Sequence, residues 1–254
     1  MTMPPAFGID LNRAKTLWGA CRHRLAEEGV VKASGSCIRA LKALLFARPQ
    51  PAGRKDPFDA VHGTDTDGIV PLWKLRIDSP HIDEGVRYQA SEPEFIRQAI
   101  AALPLRSEEF IFIDLGSGKG RTLLVASEFP FRQVIGVEFS RELHEVAVAN
   151  IETAARANRP CRDVRSICAD AALYDFPRED TVLYLYNPFG KPVLRKVIER
   201  LLVSLKAAPR RIFIIYSNPV QARLFDELDR FERLDLPVEA AIYRSVDQPG
   251  IRSV

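Results

Sequence analysis

The chain has 254 residues, with 36 basic and 33 acidic side chains and a formal net charge of +3. A chain of this length buries roughly three quarters of the surface that it exposes when unfolded, so it needs no disulfide or structural metal to fold. Its longest apolar runs, such as 212–216, are far shorter than the ~20 residues that cross a bilayer, and its four cysteines show no close pair. This excludes a membrane-spanning or disulfide-rich secreted protein and predicts a cytoplasmic one.

The charge is unevenly distributed along the chain. Residues 1–56 carry ten basic and four acidic side chains, a local charge of +6, which leaves −3 for the remainder. Charge asymmetry of this kind points to an acidic partner such as nucleic acid, although basic helix faces are more often simply solvated.

Residues 1–90 are predicted to form a helical and irregular N-terminal cap that helps to choose a substrate. Apolar residues at three-four spacing predict a helix over 10–28, and a second helix is expected to start near Ser36. The stretch 49–86 shows no clear period and contains several prolines, glycines and aspartates, which is typical of a long connection.

Acidic residues and a histidine cluster within that connection, at Asp59, His62, Asp65 and Asp67. Carboxylates and imidazole are metal ligands, but the segment fails the calcium-loop pattern, and Asp-Thr-Asp-Gly is mainly a turn composition. We therefore predict no metal site here.

Residues 91–254 are predicted to form one α/β domain. Ser91 and Glu94 have the spacing of a capping box before a helix that ends by Pro104. Beyond it, strands rich in Val, Ile, Phe and Tyr are expected over 110–115, 133–138, 163–168, 181–186 and 211–216. Helical patterns are expected over 121–129, over 141–157 behind a Ser140 cap and over 192–205, and two adjacent final strands over 231–236 and 240–246. This alternation predicts a mostly parallel sheet covered on both faces, with a C-terminal antiparallel hairpin at one edge.

Three glycines fall within five residues directly after the first of these strands, in Asp114-Leu-Gly116-Ser-Gly118-Lys-Gly120-Arg121. Glycine and free backbone amides between a strand and a helix allow close approach of a ligand. A P-loop is excluded because Gly120 follows the lysine, where that motif has Ser or Thr. A dinucleotide fingerprint is incomplete because Arg121 stands where its third glycine belongs.

Acidic residues end the next two predicted strands. Glu138 lies 24 residues after Asp114, close to where a ribose-binding carboxylate is expected, and Asp170 with Ala171 follows the third strand. In this order, the glycine motif and the acids resemble the class I S-adenosylmethionine-dependent methyltransferases. The resemblance implies a Rossmann-like, doubly wound seven-stranded sheet and S-adenosylmethionine as cofactor.

The same resemblance assigns roles to these residues. It implies that Asp114 with Gly116, Gly118 and Gly120 surrounds the methionine and ribose of the cofactor. It further implies that Glu138 binds the ribose and that Asp170 and Ala171 contact the adenine.

Three further residues are predicted to contact the reacting groups. The fourth strand ends in Asn187-Pro188-Phe189, which resembles, without matching, a segment of nitrogen-modifying methyltransferases in which an amide orients the acceptor and an aromatic ring stacks on it. Asn218-Pro219 after the fifth strand is a candidate border of the same pocket. The segment around Tyr88 resembles one in seven-strand lysine methyltransferases, which implies that Tyr88 covers the sulfonium. The alternative for each is a plain turn or a half-buried aromatic.

The expected reaction is direct, in-line transfer of a methyl group, with nitrogen in a protein lysine or small-molecule amine as the expected acceptor. The sequence leaves the acceptor class open among proteins, small molecules and nucleic acids, and it does not fix the oligomeric state. Two alternatives remain: a non-catalytic nucleic-acid-binding protein on a methyltransferase scaffold, and an NAD-dependent dehydrogenase-like protein.

Overall fold

The computed structural model describes residues 56–71, 75, 85 and 87–246. The two predicted N-terminal helices, over 10–28 and from Ser36, lie outside these residues. By their contacts, the residues from Asp56 onward form one compact unit. In the described part of the chain, no helix is long and apolar enough to cross a membrane.

A seven-stranded sheet forms the centre of this unit, preceded by a short antiparallel ribbon. The ribbon consists of β1 (Ile69–Val70) and β2 (Tyr88–Gln89). The strands of the sheet are β3 (Ile111–Leu115), β4 (Gln133–Glu138), β5 (Val164–Cys168), β6 (Thr181–Tyr186), β7 (Ile212–Ser217), β8 (Phe231–Leu234) and β9 (Ala240–Ser245). Their spatial order is β5-β4-β3-β6-β7-β9-β8, and β9 runs antiparallel to both of its neighbours while the other pairs are parallel. The predicted fold class is confirmed.

Helices connect most of these strands. They are α1 (Pro57–His62), α2 (Pro93–Ala101), α3 (Arg121–Ala126), α4 (Arg141–Ala154), α5 (Lys191–Ala207) and α6 (Arg223–Asp226). Two short 3-10 turns lie at Ser107–Glu109 and Ala171–Leu173. The side chain of Ser140 accepts a hydrogen bond from the Leu143 amide, which confirms the predicted cap of α4.

Both faces of the sheet are buried. Side chains of β3 alternate between them: Ile113 belongs to a core with Val197 and Leu201 of α5, whereas Phe112 belongs to a core with Ile96 of α2. Successive side chains of a strand point to opposite faces, so a strand covered on both sides is apolar along most of its length.

Some local predictions were wrong. The helix expected after Ser91 starts at Pro93 with Glu92 as N-cap, and no side chain caps it; Ser91 instead accepts a hydrogen bond from the buried hydroxyl of Tyr184 at 3.3 Å. The stretch expected to be irregular contains α1, whose N-cap Asp56 accepts from the Phe58 amide at 3.0 Å. The first prediction failed because Ser91 bonds to Tyr184, a residue distant in sequence. The second failed because α1 and its cap at Asp56 lie in a stretch without a clear helical period.

The topology brings the carboxyl ends of the five parallel strands to one edge. β3 lies between β4 and β6, and the connections leave β3 and β6 in opposite directions across the sheet. Where the strand order reverses in this way, open α/β sheets bind ligands beyond the carboxyl ends of the strands. The glycine motif follows β3 at this point.

Candidate functional site

The glycine loop after β3 contains three glycines that residues with a side chain could not replace. Gly116, Gly118 and Gly120 have φ angles of 83°, 54° and 85°, in the left-handed region. A Cβ at Gly116 would lie 2.5 Å from Cβ of Pro188, and one at Gly118 would lie 2.2 Å from the ring of Tyr88. The loop therefore packs directly against two segments distant in sequence.

Two buried acids lie beside this loop. Asp114 and Glu138 are each 3% exposed, and in the described residues neither forms an ion pair. Glu138 accepts hydrogen bonds from the amides of Gly118 and Ser140, both at 2.8 Å. Burial raises the pKa of Glu138 to about 7 despite these bonds. Burial likewise raises the pKa of Asp114 to about 8, against a hydrogen bond from Thr122 and with the charge of Glu138 adding to the shift.

Asp114 and Glu138 have few hydrogen-bond donors around them, which fits a ligand that brings its own hydroxyl groups. A carboxylate offers about four acceptor directions, more than the backbone amides around Glu138 occupy. A buried carboxylate without a nearby cation is stabilised by any donor that reaches it. The ribose of S-adenosylmethionine carries such donors, so the residues present suit that cofactor.

A small cleft lies at the same edge of the sheet. Predicted residues from three different loops line it, namely Gly116, Asp170, Ala171 and Phe189. Its other walls are mainly apolar, which suits a planar heterocycle. Asp170 also caps the 3-10 turn that follows it, accepting from the Ala172 amide at 2.8 Å.

Phe189 and Asn187 have different surroundings although they are neighbours in sequence. Phe189 is 9% exposed, and it lines the cleft beside Asp170 and Ala171, the residues predicted for adenine. Asn187 adopts a left-handed φ of 42°, and its side-chain oxygen accepts from the hydroxyl of Tyr216 at 3.2 Å. Asn218 adopts a similar φ of 47°. Both asparagines thus form tight turns, and their roles toward an acceptor stay predictions.

Tyr88 in β2 lies over the glycine loop. Its ring contacts Gly118, and its hydroxyl donates a hydrogen bond to the backbone carbonyl of Thr66. Burial raises the pKa of the Tyr88 phenol above its ordinary value, so the group stays protonated. Tyr88 thus contacts the glycine motif near which it was predicted to lie. That it covers the sulfonium stays a prediction.

The segment between α1 and β1 forms a structure that the sequence patterns did not indicate. Asp59, 4% exposed, accepts hydrogen bonds from the hydroxyls of Thr64 and Thr66, both at 2.7 Å, and from the amides of Thr66 and Asp67. Burial alone would raise the pKa of Asp59, but these bonds hold it below the ordinary value. We call residues 59–67 the aspartate cage.

The acidic residues of the cage contact protein cations. Arg121 Nη2 lies 3.6 Å from Asp59, and Lys119 Nζ lies 2.8 Å from Asp65. Among the described residues, no group of three or more His, Cys, Asp and Glu side chains is arranged to hold a metal ion. The clue in the sequence was Arg121 itself, a long cation immediately after the glycine motif.

Comparison with known proteins adds to this geometry. The family model described as "Histone methylation protein DOT1" matches residues 85–159, a span that includes Tyr88, the glycine loop and Glu138. No curated protein matches the sequence.

Several solved structures resemble the chain at low identity. The 23S rRNA methyltransferase ErmE is 16% identical with a TM-score of 0.44, over 64% of this chain and 71% of that one. A putative S-adenosylmethionine-dependent methyltransferase from Methanococcus maripaludis is 15% identical with a TM-score of 0.45, over 63% and 88%. An RNA methyltransferase from Salinibacter ruber in complex with S-adenosylhomocysteine is 20% identical with a TM-score of 0.42, over 66% and 98%.

Similarity at this level carries no argument about an acceptor. The strand order, the glycine loop with its buried acids and the matching family model over 85–159 all support the class I S-adenosylmethionine-dependent methyltransferase family for this chain, with S-adenosylmethionine as the cofactor.

Proposed function

We propose that the protein transfers a methyl group from S-adenosylmethionine directly to a nitrogen atom of a protein, with lysine as the expected side chain. The observation that carries this proposal is the extent of the family match, which spans Tyr88 as well as the glycine loop and Glu138. The description of that family names histone methylation, and histones are proteins. An amine of a small molecule is the second candidate acceptor.

The cofactor is held by the residues at the carboxyl ends of β3, β4 and β5. Glu138 accepts from the ribose hydroxyls, Asp170 from the adenine amino group, and the Ala171 amide donates to the ring. Asp114, Gly116, Gly118 and Gly120 surround the ribose and methionine. S-adenosylmethionine supplies a methyl group on a sulfonium, which is electrophilic without further activation.

The acceptor is oriented by residues after β6 and in β2. Methyl transfer requires an uncharged nitrogen at ~3 Å, so a lysine ammonium must first release its proton to water. The nitrogen lone pair then forms the N–C bond in line with the S–C bond that breaks, and S-adenosylhomocysteine leaves as a neutral thioether. Asn187 is proposed to accept from the acceptor's N–H, Phe189 to stack on it, and Tyr88 to cover the sulfonium and exclude water. Residues 1–90 are proposed to select the acceptor and residues 91–254 to carry out the transfer.

One experiment tests the reaction and sorts the acceptor class. The full chain is incubated with a cell lysate and cofactor labelled in its methyl group, and label is measured in protein, RNA and small-molecule fractions. Label in protein, released as methylated lysine on hydrolysis, is expected. Label confined to RNA or small molecules contradicts the proposed acceptor, and no label above a boiled control contradicts the activity.

A matched pair of variants tests the proposed role of Asn187. Because Asn187 and Asn218 both have positive φ angles, a glycine fits the backbone of either turn. Asn187→Gly is expected to lower the rate of transfer by roughly 10²-fold or more with unchanged affinity for S-adenosylhomocysteine. Asn218→Gly makes the same change in the second turn that is predicted to border the pocket, and an unchanged rate of transfer in Asn187→Gly would contradict the proposed role of Asn187.

The charge of +6 in residues 1–56 favours an alternative function without catalysis, which is nucleic-acid binding on this scaffold. Binding to RNA that weakens steeply with salt, without methyl transfer, would support it.

The incomplete dinucleotide fingerprint speaks against an NAD-dependent enzyme, and a greater thermal shift with NAD than with S-adenosylhomocysteine would reverse that conclusion. The lack of a close cysteine pair in the sequence supports a cytoplasmic location.

A further inference from the structure

Arg121 is a buried cation attached to the end of the glycine motif. It is the first residue of α3, directly after Gly120, and its side chain is 5% exposed. Its Nη2 lies 3.0 Å from Asp56 and 3.6 Å from Asp59, and its Nε donates to the hydroxyl of Thr66 at 2.8 Å. Burying a guanidinium is costly unless it is paired in this way.

Thr66 connects Arg121 to Tyr88, which packs on the glycine loop. Its hydroxyl accepts from Arg121 and donates to Asp59 at 2.7 Å, while its backbone carbonyl accepts the hydroxyl of Tyr88. The ring of Tyr88 in turn contacts Gly118. A change in the position of Thr66 therefore moves the tyrosine that packs on the loop.

The chain of contacts ends at the proposed ribose acid. The amide of Gly118 donates to Glu138 at 2.8 Å. A continuous path thus runs from Arg121 through Thr66, Tyr88 and Gly118 to Glu138. Each step is a hydrogen bond or a direct packing contact.

A second set of contacts fixes the cage to the same loop. The side-chain amide nitrogen of Asn150 in α4 donates to the carbonyls of Asp65 and Lys119, both at 2.9 Å, and its oxygen accepts from the Asp65 amide at 2.9 Å. Lys119 Nζ also donates to the carbonyl of Asp67 at 2.9 Å. The cage and the glycine loop therefore form one unit.

We propose that Arg121 is a positioning residue of the cofactor site, which holds Tyr88 and Gly118 in the geometry that binds S-adenosylmethionine by anchoring the aspartate cage. This rests on the proposed function, because it concerns the same site. Among the described residues, the Arg121 side chain contacts Asp56, Asp59 and Thr66, and it acts on the cofactor site through them.

The test measures S-adenosylhomocysteine affinity by calorimetry on the full chain, well below the melting temperature of every variant. Arg121→Met is expected to raise Kd by about tenfold, the effect of one charge-assisted hydrogen bond. Thr66→Val keeps the side-chain shape and removes both hydroxyl bonds, so it tests the same path should the first variant fail to fold. Its expected increase in Kd is about threefold.

Arg97→Met is the matched control. Arg97 in α2 forms a two-bond ion pair with Glu128, at 2.6 and 3.0 Å, within the same unit and outside this path. Its loss is expected to lower the melting temperature and to leave Kd within about twofold. An equal increase in Kd for Arg97→Met and Arg121→Met would show that general destabilisation is the cause, and it would overturn the proposal.

Arg121→Lys separates charge from geometry. Lysine keeps the positive charge near Asp56 and Asp59 but lacks the Nε–H that binds Thr66. It is expected to recover most of the stability while Kd stays raised, and full recovery of affinity would contradict the path through Thr66. If the wild-type protein does not bind S-adenosylhomocysteine, the proposed function fails; if it binds and Arg121→Met binds equally well, only the positioning role fails.

Discussion

The buried acids of the aspartate cage and those of the cofactor site differ in how they are compensated. Asp59 is 4% exposed and Asp114 and Glu138 are each 3% exposed. Hydrogen bonds and Arg121 surround Asp59, whose pKa is lowered, whereas burial without a cation raises the pKa of Asp114 and Glu138 to about 8 and about 7.

The difference separates structural acids from the acids that are proposed to receive a ligand. An acid whose partners all come from the chain stabilises the fold in its ionised form. An acid buried without a cation costs stability when it ionises, and a ligand with suitable donors recovers that cost. Substitution of Asp59 in the cage is therefore expected to lower stability, whereas substitution of Glu138 is expected to weaken ligand binding.

The largest expected effect is on stability in the cage. Asp59→Ala should lower the free energy of unfolding by about 3 to 5 kcal/mol, because it leaves Arg121 buried with one carboxylate fewer and frees two threonine hydroxyls. Urea unfolding at pH 7 measures this. A loss below about 1 kcal/mol would remove the distinction between the two regions.

Loss of Glu138, the proposed ribose acid, should affect binding next most strongly. Glu138→Ala is expected to weaken S-adenosylhomocysteine binding by roughly 1 to 3 kcal/mol, the value of one or two charge-assisted hydrogen bonds. Calorimetry measures the affinity, with Glu145→Ala on the exposed face of α4 as the control. Unchanged affinity in Glu138→Ala would refute the assignment to the ribose.

The two regions should also respond to pH in opposite directions. The folded-state pKa values of Asp114 and Glu138 are raised, so their stabilising contribution is present below pH 4 and is lost as the pH rises through about 7 to 8. The pKa of Asp59 is lowered, so its contribution is present above about pH 4 and is lost only in acid.

Without cofactor, the melting temperature should therefore fall between pH 5 and pH 8 by at least a few degrees, since about 1 kcal/mol shifts it by roughly 2 to 4 °C. Thermal denaturation across this range checks it. Asp114→Asn, which cannot ionise, should flatten the profile, and a profile identical to the wild type would contradict the raised pKa.

The smallest effect is expected at the exposed rim of the cage. The side chain of Asp65 is 72% exposed, and its ion pair with Lys119 is open to solvent on that side. Asp65→Ala should change the free energy of unfolding by less than about 1 kcal/mol. A loss as large as that of Asp59→Ala would show that exposure does not separate structural from peripheral acids in this cage.

Much of the sheet and part of the site were predictable because their signals are local. Continuous apolar runs gave β4 and β6 with their observed bounds, since a strand buried on both faces has few polar positions. The cap at Ser140 was also local. By contrast, Ser91 was predicted as a cap but bonds to Tyr184, a contact between residues far apart in sequence.

The cage shows why the remainder was not predictable. Asp59, Thr64, Thr66 and Asp67 have turn composition, and nothing in their spacing specifies that four donors converge on one carboxylate. Arg121 was informative in the sequence only as a departure from the dinucleotide fingerprint. Its partners became visible only in the folded chain.

The sequence by itself determined the α/β class, the glycine loop and the acids after successive strands, because period, φ requirement and strand ends are properties of neighbouring residues. Tertiary structure alone decided which acids are paired with a cation, where β9 enters the sheet and how Tyr88 meets Gly118. Those outcomes depend on distances between residues far apart in the chain, and electrostatic compensation depends on such distances and on burial.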